Sequence, residues 1–195
     1  MVIRTGALLL IVAVHGYALA GCAKLLGDPG PQHDGRLKPS PFVHVDLTGL
    51  VSGIIFQLGW GRQIDIDPLR LRVGRAGLVL CWIASLLAVL LFAWALQFLQ
   101  TPAQSFLGNV GAQDAQVFLT ETGRLAVWFA LFNLLPIPPL AGAMLLGAID
   151  PGLIATVRKS YFVGVAVLVI LAFTGVAAKL FQPLYATLTR VFNIH

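Results

Sequence analysis

The sequence predicts an all-α polytopic membrane protein: about four transmembrane helices, a re-entrant or interfacial segment, and a short extended surface ribbon. Three observations predict it. Of 195 residues, 58% are hydrophobic and 11% charged, with a mean hydropathy of +0.87. Soluble domains carry roughly a quarter charged residues. The apolar residues gather in five charge-free stretches, 5–23, 47–61, 77–100, 125–149 and 160–178. The basic residues cluster between those stretches rather than scattering through them.

Residues 5–23 lie between Arg4 and Lys24 and match the roughly 20 apolar residues that cross a hydrocarbon core. Ala18–Ala20 resembles a signal-cleavage site. The run is longer than a signal h-region and carries a central His15, so a permanent helix is expected. The next stretch, Gly27–Asp46, is dense in Pro and Gly and reads as turns and extended chain. Residues 47–61 number 15 and include four glycines, too short to span, so they are expected to re-enter or lie at the interface. In 62–74 the alternation of Ile64, Ile66, Leu69, Leu71 and Val73 with polar partners suggests the ribbon at the membrane surface.

Residues 77–100, 125–149 and 160–178 are long enough to span, and 101–123 is expected to be an outward loop. An additional C-terminal helix is placed at 160–181, followed by an interfacial tail at 183–195 with Leu184, Leu188 and Val191 on one helical face. No repeat or long linker divides the chain, so 1–195 is read as one domain with its core in 5–150. Cys22 and Cys81 lie far apart in sequence and read as small core residues.

The net charge of +5 orients the protein rather than binding nucleic acid. Arg36, Lys38, Arg62, Arg70, Arg72 and Arg75 precede the third apolar segment; Arg158 and Lys159 follow the fourth. By the positive-inside rule, loops 27–76 and 150–160 face the cytoplasm and both termini face outward.

The fourth segment carries the chemistry-bearing irregularity. Pro136, Pro138 and Pro139 lack N–H groups, so the carbonyls of Phe132, Leu134 and Leu135 lose their helical donors. Free carbonyls cannot face lipid, and a helix broken beside Asn133 either lines a cavity or is a packing kink.

The run Asn133-Leu-Leu-Pro-Ile-Pro-Pro-Leu-Ala-Gly142 resembles the N-x-x-P-x-P-x-x-D-G motif of site-2 proteases, the intramembrane zinc metalloproteases. Gly27-Asp28-Pro29 and Gly35-Arg36-Leu37 resemble the loop signature of their compact bacterial branch. Pro41, His44, Asp46 and Gly49 continue it, as do Gly59-Trp60, Asp67-Pro68 and Arg72. These blocks keep order and spacing across residues 15–147, and the resemblance implies a bacterial inner-membrane location.

Catalysis in that family needs two His at i and i+4 of one helix, a Glu base after the first, and a distant Asp ligand. Here the first motif reads His15-Gly16-Tyr17-Ala18-Leu19, and the Asp position is Ala141. One of three ligands survives as a relic and the base is Gly16, so no catalytic residue, bound metal or cofactor is expected. Cys22 stands seven residues from His15, a rise of about 10.5 Å that no single zinc ion bridges. His33, Asp34, His44 and Asp46 lack zinc-motif spacing, and no other apolar segment offers a second His for haem. His15 is expected to hydrogen-bond a carbonyl freed near Pro136. The family's A-G-P-x-x-N signature is replaced by Leu80-Cys81-Trp82-Ile83-Ala84-Ser85-Leu86, which suggests a filled cleft.

The expected role is that of a pseudoprotease binding another integral membrane protein, as accessory subunit, scaffold or assembly factor of a larger complex. Asn133, Pro136, Pro138 and Pro139 form the candidate partner-binding broken helix. Trp82, Trp94, Trp128, Phe92, Phe98 and Phe129 offer partner- or pigment-facing surface, with lipid contact as the simpler reading. The competing readings are an active metalloprotease with an unusual metal site and a small transporter.

Overall fold

The computed structural model describes residues 1–38 and 40–194, without the Asn109 side chain. Ten α-helices carry the described chain: α1 (Val2–Leu25), α2 (Gly30–His33), α3 (Leu47–Phe56), α4 (Ala76–Gln97), α5 (Gln100–Phe106), α6 (Gly108–Phe132), α7 (Met144–Ile149), α8 (Leu153–Lys159), α9 (Tyr161–Thr174) and α10 (Val176–Val191).

Helices α1, α4 and α6 pack on one another around a core that includes Ala7, Ile11, Val12, Val89, Ala93, Leu125, Ala126, Phe129 and Ala130. Small residues on the facing sides let the backbones approach. The outer face of α4 is the complement. Leu80, Ile83, Leu87, Leu91, Trp94 and Phe98 recur every three or four residues and are all exposed. A stripe of that length facing water is an aggregation liability; facing acyl chains it is ordinary. A second cluster joins Leu19, Ala23, Leu78 and Cys81, with Cys22 packed against it, so the two distant cysteines meet between α1 and α4.

Among the described residues two stretches, Val2–Leu25 and Ala76–Phe106, are long and apolar enough to cross a membrane. The pair α8–α9, bent by 64°, makes a third if counted as one span. The expected four are therefore two or three by length and composition. The difference lies in 125–149. The helix there stops at Phe132, because the following prolines remove its donors. It extends instead backwards through 108–124, so that most of the expected outward loop at 101–123 is the helical α5 and the first half of α6.

The C-terminal boundaries also move. The expected break at Pro183 does not occur: Pro183 sits inside α10. A proline removes one N–H and leaves the carbonyl four residues earlier unpaired; here that residue, Lys179, is exposed, where water serves. The break falls at Gly175, whose φ of +67° ends α9 in the left-handed conformation. The face expected on the tail shifts with it. Ala177 and Phe181 are buried and Tyr185 stacks on Trp128 of α6 at 4.3 Å, while Leu184 and Val191 are exposed. Residue 195, the end of that expected tail, lies outside the described residues.

Residues 47–61 behave as expected for a segment too short to span. Helix α3 has ten residues, about 15 Å, against a core of about 30 Å. Asp46 caps it by accepting from the Thr48 and Gly49 N–H groups at 2.9 and 3.0 Å. The ribbon at 62–74 forms no strand among the described residues. One antiparallel bridge, Val45 to Gly61, precedes an extended run that turns at Asp67. Ile66 and Leu71 point inward, but Leu69 and Val73 are exposed, so the alternation breaks and no ladder partner is met.

Candidate functional site

Helix α1 brings His15 to the middle of the molecule, 6% exposed, its ring edge against Phe129 with centroids 5.2 Å apart. Its Nε2 has no hydrogen-bond partner. The expected bond to a carbonyl freed near Pro136 is not formed. The freed Phe132 C=O accepts instead from Leu135 N–H at 3.0 Å, and the neighbouring Asn133 C=O accepts from the Trp82 indole at 2.9 Å.

Asn133 ties the broken segment together. Its amide donates to Phe129 C=O at 2.8 Å and to Gly59 C=O at 3.5 Å, and its side-chain oxygen accepts from Ala141 N–H at 3.0 Å. One buried side chain thus ties the end of α6, the stretch after α3 and the start of the segment after the prolines together. Pro139 is buried and lines the cavity described below, whereas Pro136 is exposed and Pro138 turns its carbonyl toward Gly164 of α9. The candidate broken helix is therefore split: Asn133 and Pro139 face the site, Pro136 and Pro138 do not.

The loop-signature residues act as braces. Gly27 and Gly35 take φ of +113° and +73°, conformations that favour glycine. Asp28, buried, accepts from Gly30 N–H and Asp67 N–H, both at 2.9 Å, and Pro29 opens α2 as its N-cap residue. The Arg36 guanidinium donates to the carbonyls of Val43 and Gln63. Asp46 also accepts from the Tyr161 hydroxyl at 2.7 Å, joining α3 to α9. Together they hold residues 61–66 over the cavity.

His44 is 1% exposed, neither ring nitrogen has a partner, and its ring lies against Gly16. A Cβ at Gly16 would overlap the ring, so the side chain absent at 16 and the imidazole present at 44 share one space. Burial, and then the Arg36 charge, push the His44 pKa below its usual value, so the ring is neutral.

A cavity of about 90 Å³ opens beside His15. Leu19, Leu78, Asn133, Ala141 and Met144 help to line it, and Arg62 and the Arg158–Asp65 ion pair, 2.8 Å, are also on its wall. His15, Leu19 and Ala141 thus converge on one space, and these are the positions the resemblance equates with the three zinc ligands. The donor set does not fit zinc, which takes three protein ligands in catalytic sites. An alkyl chain and a methyl group occupy two of the three places. Among the described residues no group of three His, Cys, Asp or Glu side chains is placed to hold a metal ion.

Several parts of the site escaped the sequence reading. Trp82, expected as outer surface, turns inward to Asn133, and Phe129 and Trp128 pack inside. Of that aromatic group Trp94 and Phe98 are exposed, edge to face at 4.8 Å. The neighbourhood of His44 and Gly16 has one sequence signal: a glycine directly beside an intramembrane histidine leaves a hole that something must fill.

A broken helix, a braced loop and a histidine facing their common cavity are in keeping with the resemblance to site-2 proteases. Consistent with that, the chain is similar to "Putative zinc metalloprotease YwhC" of Bacillus subtilis (strain 168): 26% identical over 185 residues, 91% of this chain and 83% of that protein. No family model matches the chain, and no solved structure matches it.

Proposed function

We propose that the chain is a non-catalytic, site-2 protease-like protein of the bacterial inner membrane whose cleft receives a segment of another integral membrane protein. One observation carries this reading. The cleft framework is whole, with Asn133, Asp28, Arg36 and Asp46 all bonded, while the chemical positions around it hold His15, Gly16, Leu19 and Ala141. A cavity of largely apolar lining, edged by Arg62 and the Arg158–Asp65 pair and holding one unpartnered imidazole nitrogen, suits an inserted side chain that offers a hydrogen-bonding group, because an unmet buried nitrogen costs about 1–3 kcal/mol. Loops 27–76 and 150–160 lie on the cytoplasmic side in this reading, and both termini lie opposite.

Photo-crosslinking from position 144 or 64 in native membranes tests it. The expected outcome is a discrete adduct with a membrane protein of unaltered length. A cleaved partner, or no adduct above background, overturns it. The competing reading, a metalloprotease with an unusual site, draws on the name of the Bacillus relative. It requires zinc in the purified chain and loss of cleavage on His15→Ala.

A further inference from the structure

A second cavity, of about 380 Å³, lies toward the other end of α1. Arg4 of α1 lines it with Gln57 after α3, Glu121 and Arg124 of α6, and Tyr185 and Thr189 of α10. Arg4 stands eleven residues before His15, about 16 Å along the helix. The two cavities are therefore separate sites.

The polar balance here is one-sided. Two guanidinium groups meet one carboxylate, and Glu121 is already 3.3 Å from Arg124. Arg4 gives one bond to the Ile54 carbonyl at 3.2 Å. A guanidinium carries five N–H donors, so most of those on Arg4 and Arg124 have no acceptor assigned among the described residues. Converging guanidinium forks match the oxygens of phosphate groups. The setting adds a second argument. Tyr185 stacks on Trp128, an aromatic pair of the kind that settles at headgroup level, and α10 exposes Leu180, Leu184 and Val191 alongside its basic residues. The charged first half of α6 ends at Arg124, where its apolar run begins, which puts the cavity at the membrane boundary.

We infer that this cavity is a phosphodiester site, filled by the headgroup of an anionic phospholipid held by Arg4 and Arg124. The setting separates the two sources of that chemistry: Leu180, Leu184 and Val191 are exposed on the same helix as Tyr185 and Thr189, apolar surface that acyl chains cover and a bare phosphate ion does not. The site is independent of whether the His15 cleft binds a partner or cuts one.

Native mass spectrometry of the full chain in mild detergent tests it, with phosphatidylglycerol, phosphatidylcholine and inorganic phosphate as probes. Phosphatidylglycerol is expected to be retained at one per chain, about tenfold more tightly than phosphatidylcholine. The double variant Arg4→Gln, Arg124→Gln is expected to bring it down to the phosphatidylcholine level. Arg4→Lys, Arg124→Lys keeps both charges and is expected to retain a preference, which separates lost binding from lost folding. Equal retention of the two lipids, or unchanged retention in the glutamine variant, overturns the inference. Inorganic phosphate binding as tightly as phosphatidylglycerol overturns the lipid assignment.

Discussion

The two cavities along α1 differ in what their walls are made of. Around His15 the walls are side chains packed to contact, with backbone groups met by Asn133 and by the loop braces. Around Arg4 the space is larger, the walls are polar, and charged groups outnumber their partners. The first is a well-braced framework around few polar groups; the second is a set of charged groups with little framework. The contrast teaches that a cleft is held by residues that bond to backbone, not by those that would bind metal. Asn133, Asp28 and Arg36 bond to backbone groups, so none of them needs a particular side chain at 16, 19 or 141.

If that contrast is right, substitutions at the cleft end damage stability and those at the arginine end do not. The largest loss is expected for Gly164→Ala. Its added methyl would run into the Pro138 carbonyl, backbone against side chain with no room to yield. A loss of about 4 kcal/mol is expected in reversible unfolding, and a tolerated alanine means that α9 is not seated on the broken segment. Asn133→Ala removes three hydrogen bonds, two of them buried, and is expected to cost about 3 kcal/mol.

Gly16→Ala is expected to cost about 2 kcal/mol because the His44 ring must move. His44→Ala in the same chain should return at least about 1 kcal/mol of that; strict additivity would show that the two residues do not share space. At the arginine end, Glu121→Gln breaks only a partly exposed i,i+3 pair. A change below about 1 kcal/mol is expected.

His44 gives the comparison a pH axis. Its folded pKa is depressed by burial and by Arg36, so the unfolded chain takes up the proton first. Its contribution is complete above about pH 6.5, the unfolded value, and stability falls as pH drops below it. His44→Gln should flatten that part of the profile; an unchanged slope would assign it elsewhere.

Much of this was legible in the sequence. Low charge and long apolar runs gave the helical membrane class, and three prolines beside Asn133 located the break. The motif positions 15, 19 and 141 do meet at one cavity. What stayed hidden depended on contacts distant along the chain or on single backbone angles. Nothing local pairs His44 with Gly16, 28 residues earlier, or Arg4 with Arg124. Pro183 looked like a terminator, yet the exposed side of a helix tolerates one missing N–H and Gly175 ended α9 instead. The alternation in 62–74 was real for Ile64 and Ile66, but a strand needs a neighbour and the chain supplies one bridge.

Elemental analysis of the full chain, purified from native membranes without chelator, bears most directly on the non-catalytic reading. Well under one zinc per chain is expected, with no change on His15→Ala. Close to one tightly held zinc per chain, lost when His15 is replaced, contradicts it.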